Sequence, residues 1–120
     1  MIKGVHHVQI TIPKDAEEEG KKFYCGLLGL PEKEKPEALQ GRGGFWLEVG
    51  DRDVHVGTES DFDRYSTKAH IAYQVDNLPY WKKILEKEQI KIVEAVPISG
   101  FDRFEFRDPF GNRVEMIQPK

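Results

Sequence analysis

The sequence predicts an α+β fold built from two copies of a βαβββ unit. Three observations carry the prediction. Short stretches alternate apolar and polar residues with period two. Two amphipathic helical stretches each follow the first strand of a half. The whole order then recurs after a polar run at 58–68. A chain of 120 residues suits one compact domain, or two tightly joined half-domains sharing a core. The expected modules cover about 1–60 and 68–120 of a single domain, 1–120.

In the first half, residues 5–12 alternate as a strand. His6, Val8, Ile10 and Ile12 form the more apolar face, and Val5, His7, Gln9 and Thr11 the more polar one. Pro13 ends the strand. Asp15 followed by Glu18 predicts a capping box for a helix that continues through Phe23, Tyr24 and Leu27 and stops at Gly29. Gly20 within it costs helix propensity, about 1 kcal/mol against Ala, and marks a place of close packing on the sheet. Residues 31–44 read as loop with a short strand. Gly41-Arg42-Gly43-Gly44 lacks the Lys-Ser/Thr of a phosphate loop, so turn geometry accounts for it. Phe45 to Val49 and Asp53 to Gly57 form a hairpin through Gly50-Asp51-Arg52, with Trp46, Glu48 and His55 opposite the core residues.

In the second half, Ala69 to Val75 alternates with His70 on the polar face. Asp76 or Asn77 can cap a helix with Pro79 in its first turn and a Trp81, Ile84, Leu85 stripe. Ile90 to Val96 and Phe101 to Arg107 are strand-like. Asp108-Pro109-Phe110-Gly111-Asn112 is a tight turn, and a last strand follows in which Arg113 and Glu115 oppose Val114 and Met116.

Composition narrows the classes of function. The net charge of −3 and a pI near 5.8 give no footprint for nucleic acid. No apolar run approaches the roughly 20 residues needed to span a bilayer, and no export signal opens the chain. Cys25 is the single cysteine, which excludes an intrachain disulfide and points to the reducing cytoplasm, with Cys25 as a buried structural thiol.

His7, His55, His70 and Glu115 all fall on the less apolar face of the first or last strand of a half. His7 and His70 stand 63 residues apart (70 − 7), and His55 and Glu115 60 apart (115 − 55). Any one of them reads by itself as an ordinary surface or hydrogen-bonding residue. Four at related places in a repeat point to a divalent metal site, because imidazoles and a carboxylate suit Zn, Ni, Co, Mn or Fe(II). His6 has the opposite phase and reads as structural.

The segments Val5-His6-His7-Val8, Phe23-Tyr24 leading to Leu28-Gly29-Leu30, Ala69-His70-Ile71-Ala72 and Asp108-Pro109-Phe110-Gly111-Asn112-Arg113-Val114-Glu115 occur in an order that resembles the vicinal oxygen chelate superfamily. That superfamily includes glyoxalase I, extradiol dioxygenases, fosfomycin-resistance enzymes and bleomycin-resistance proteins. The resemblance implies paired βαβββ modules curved into a cup-shaped mixed sheet around a metal held by His7, His70 and Glu115. His55 stands where family glyoxalases have a glutamate, and is the candidate fourth ligand. It also implies a small oxygenated metabolite or toxin as substrate, bound to the metal through adjacent oxygens, and a homodimer.

On this reading Glu115 and Glu48 are the candidate catalytic carboxylates, and Gln9, Trp46, Arg103 and Glu105 have the phase to line the substrate pocket. Cross-strand pairing with an acid is an equal account of Arg103. The rival classes are a non-catalytic protein that sequesters a small molecule, as bleomycin-resistance proteins do, and a ring-cleaving dioxygenase.

Overall fold

The computed structural model describes residues 1–60 and 62–120; position 61, inside the polar run read as a linker, lies outside them. The chain divides into two compact units, Met1–Phe62 and Asp63–Lys120. The first runs β1 (His7–Ile12), α1 (Glu17–Lys21), β2 (Glu32–Lys33), β3 (Phe45–Val49) and β4 (Arg52–Thr58). The second runs β5 (His70–Gln74), α2 (Leu78–Lys87), β6 (Val93–Glu94), β7 (Phe101–Arg107) and β8 (Arg113–Pro119). Each is a βαβββ unit, and the fold is α+β.

The two sheets have the same topology, β1-β4-β3-β2 and β5-β8-β7-β6. In each, the first strand lies at an edge and runs parallel to the last, while the remaining pairs are antiparallel. The helical crossover is what permits that parallel pairing. Gln9 is the register partner of His55, and Ala72 that of Glu115. Each partner lies two residues beyond the strand histidine, so the two units repeat in register as well as in element order.

Apolar alternation forms the cores. Ile12, Phe45, Leu47, Val54 and Val56 are buried in the first unit with Phe23 and Tyr24 of the helical segment. A Cβ on Gly20 would come within 3.1 Å of Ile12 and Phe45, so the glycine lets the helix settle onto the sheet. In the second unit Tyr73, Leu78, Leu85, Phe104, Phe106, Val114 and Met116 are buried. Burial of a side chain such as Leu85 contributes roughly 1.5–3 kcal/mol.

Several local expectations change. The Asp15–Glu18 capping box does not form: Asp15 is left-handed at φ 66°, and α1 starts after Ala16 with no side-chain cap. From Lys22 to Leu27 the helix widens, and the Leu28 amide donates to the Phe23 carbonyl five residues back at 2.9 Å. The wider turn advances the buried position from Leu27, which is half-buried, to Leu28. Cys25 is half-buried rather than buried. The strand expected over 90–96 contracts to the two residues of β6, both exposed. His6 precedes β1 and is exposed beside His7, so it does not join the core face. Asn77 is the cap of α2, its side chain accepting from the Tyr80 amide. The Leu78 amide meets Gln118 Oε1 of β8 at 2.7 Å.

Candidate functional site

The site in the second unit is positioned by the turn between β7 and β8. Asp108, 3% exposed, accepts at Oδ1 from the amides of Phe110 (2.9 Å) and Asn112 (2.8 Å), and at Oδ2 from the Asn112 side chain (2.8 Å). Its own amide donates to the Asn112 carbonyl, and Gly111 takes φ 102° to close the turn. Arg107 Nη1 donates to the Gly111 carbonyl at 3.0 Å. The turn therefore fixes the register that sets Glu105 opposite Glu115. Because β7 buries Phe104 and Phe106 in the core, Glu105 must share the other face with Glu115.

His70, Glu105 and Glu115 meet there, with one ligand atom from each lying within 4.8 Å of the others. The carboxylates are buried, at 9% and 5% exposure. His70 Nε2 lies 3.0 Å from Glu115 Oε1, and His70 Nδ1 lies 2.9 Å from the Lys68 carbonyl. A carbonyl only accepts, so Nδ1 carries the proton, and a neutral His70 directs the Nε2 lone pair at a carboxylate oxygen. Two acceptors at that distance require a cation or a proton between them. Outer hydrogen bonds of the Lys68 kind orient metal-ligating histidines. The donor set thus fits a divalent cation, with imidazole nitrogen and carboxylate oxygen as ligand atoms.

Two arginines already attend the acids. Arg103 Nη1 is 3.3 Å from Glu115 Oε1, while its Nε and Nη2 donate to the Val96 carbonyl at 3.0 and 2.6 Å. Arg113 holds Glu105 Oε2 through Nε at 2.8 Å and Nη2 at 2.5 Å. Arg103 is thus engaged with protein groups rather than free to meet a ligand. Glu105, read from the sequence as a pocket residue, joins the ligand cluster. Its signal lay in the alternation of β7 combined with the Asp108 turn, which pairs positions 105 and 115.

In the first unit the polar face of the sheet carries an aromatic stack. The His55 ring stacks on Trp46 at 3.8 Å with an interplanar angle of 1°, and on His7 at 4.1 Å and 20°. His55 is 8% exposed, and its Nε2 has no hydrogen-bond partner among the described residues. Burial holds its pKa below the ordinary imidazole value, and the neighbouring His7 pushes the same way, so the ring is neutral near pH 7. His7, Gln9, Trp46 and His55 border one cavity of about 450 Å³. Glu48 is exposed and not part of its lining. Asp53 is drawn away by Lys33, whose Nζ is 2.8 Å from Oδ2 and lowers the carboxyl pKa.

No helix among the described residues is long and apolar enough to cross a membrane. No curated protein matches the sequence. Among solved structures, a glyoxalase family protein from Bacillus anthracis is 37% identical over 100% of this chain and 98% of its own, with a TM-score of 0.91. FosX, a fosfomycin resistance protein from Listeria monocytogenes complexed with Mn(II) and sulfate, is 13% identical over 100% and 93%, at TM-score 0.80. A glyoxalase/dioxygenase from Nostoc punctiforme is 18% identical over 98% and 92%, also at 0.80. The latter two likenesses concern the fold alone. The model of one family matches residues 4–116, and on that match, nearly the whole chain, the protein belongs to the Glyoxalase/Bleomycin resistance protein/Dioxygenase superfamily.

Proposed function

We propose that the protein is a divalent-metal-dependent enzyme of the glyoxalase type that acts on a small oxygenated metabolite or toxin. The observation that carries the reading is the His70–Glu115 pair: a ring held by the Lys68 carbonyl, with Nε2 turned to a buried carboxylate at 3.0 Å. His70 and Glu115 are proposed as metal ligands, with Glu105 as a further carboxylate in reach. When bound, the metal would supply Lewis-acid stabilisation of charge developing on substrate oxygens. Arg113 holds Glu105 in place, and Arg103 lowers the cost of a buried Glu115 anion. A Glu115 carboxylate on the metal would be a poorer base than a free one, and Glu48, exposed and outside the cavity lining, is not assigned the proton transfer. The same reading takes the active form to be a homodimer, which sedimentation equilibrium checks.

Metal content of chelator-free protein tests the proposal. Near-stoichiometric Zn, Ni, Mn, Co or Fe is expected, falling several-fold in His70→Ala and Glu115→Gln while circular dichroism stays that of the parent. Unchanged stoichiometry in both variants would overturn the site. The Arg103–Glu115 ion pair favours a second reading, in which the arginine takes the cation's place and the protein sequesters a small molecule without catalysis. Absence of metal after incubation with each ion would select it.

A further inference from the structure

The first-unit cavity is bordered by basic groups and by no acid. Lys35, Arg42, His7 and His55 border it, and its lining includes no aspartate or glutamate. That is unusual placement in a chain with 21 acids against 18 lysines and arginines. Other cations close to the sheets are matched to acids: Lys33 to Asp53, Lys82 to Glu94, Arg103 to Glu115 and Arg113 to Glu105. Arg42 has no hydrogen bond or ion pair among the described residues. Lys35 spends one of its three donors on the Gly43 carbonyl at 2.7 Å, which holds the ammonium at the cavity and leaves two donors over. The His55 ring, immobilised between Trp46 and His7, forms a fixed wall of the cavity. Two acids on adjoining segments each accept a hydrogen bond. Glu17 accepts from the Gly44 amide at 3.1 Å, and Glu34 from the Gln40 side chain.

We infer that this cavity is an oxyanion site, and that the substrate carries a carboxylate or phosphate-type group held by Arg42 and Lys35. A planar guanidinium offers paired donors to such a group, and the ammonium adds a point charge beside it. The statement about substrate deepens the proposed function and rests on it; the anion site itself stands on the first unit alone.

The experiment uses metal-free protein in chelator at constant ionic strength, titrated separately with inorganic phosphate and with acetate. The Trp46 indole and His55 ring signals are followed by NMR. Saturable shifts at both residues are expected for at least one probe, with affinity weakened about tenfold in Arg42→Gln and further in Arg42→Gln/Lys35→Gln. Tighter phosphate binding assigns a phosphate-type group, and tighter acetate binding a carboxylate. Linear drift like that of added chloride, or equal affinity in wild type and double variant, would overturn the site. Arg42 is exposed, so its variant is expected to fold. Metal uptake is read on the same variants. Failure of the metal centre leaves the anion titration unaffected, and failure of the anion site leaves metal content unchanged.

Discussion

Replacing Asp108 with alanine isolates how the second unit holds its ligands. The side chain is 3% exposed and accepts from two backbone amides and one carboxamide, each at 2.8–2.9 Å. A hydrogen bond to a charged group contributes roughly 1.5–3 kcal/mol. Phe110 and Asn112 are half-buried, so water takes over part of the loss. The two backbone bonds together then give a destabilisation of about 3 kcal/mol, a large share of the 5–15 kcal/mol that typical domains possess. Urea denaturation followed by far-ultraviolet circular dichroism measures it. Asp108→Asn keeps an acceptor at Oδ1 and is expected to lose about half as much. Metal affinity should fall along with stability in the alanine variant, because the turn sets Glu105 against Glu115. A loss below about 1 kcal/mol in Asp108→Ala would refute the view that this carboxylate organises the turn.

Other predictions concern the cores and the titrating groups. Leu85→Ala, at a fully buried position of α2, should cost about 2–5 kcal/mol in the same assay; a smaller loss would mean that the cavity collapses. His55 has a folded-state pKa below its unfolded value, so its contribution is present above about pH 6.5 and lost as pH falls through the folded pKa. Wild-type stability should therefore fall more steeply below pH 6.5 than that of His55→Gln, and identical profiles would contradict the assignment. Burial, with Glu32 nearby, pushes the Cys25 thiol pKa up, so alkylation at pH 7 should be slower than for a free cysteine in the unfolded chain. Equal rates would show the thiol to be fully open.

Much of this architecture is legible in the order of residues, because the two periods that build it are local. Alternation marked β1, β3, β4, β5, β7 and β8, and the spacing of Trp46 and His55 against Phe45 and Val54 assigned the polar face. The Asp108–Asn112 turn announced itself through residue types that favour unusual φ. What stayed hidden depends on partners distant in sequence. The choice of Arg103 between solvent, substrate and Glu115 is made by cross-strand geometry. Glu105 entered the ligand cluster through the register of a hairpin, and the widened turn at 22–27 reflects packing of Phe23, Tyr24 and Leu28 rather than propensity. The pairing of His55 with Trp46 and His7 likewise arises across three strands.

The topology also gives the proposed ligands unequal kinetic fates. His70 rides an edge strand with one neighbour, whereas Glu115 rides β8, hydrogen-bonded on both sides and tied at its far end to the start of α2 through Gln118. Edge strands fray first, and amides of central strands exchange with solvent only when the whole unit opens. Under mild destabilisation the strand carrying the imidazole would open while the carboxylate stays on a strand still paired with β7. Of the two groups that would hold an ion, the histidine is therefore the one whose strand opens more readily.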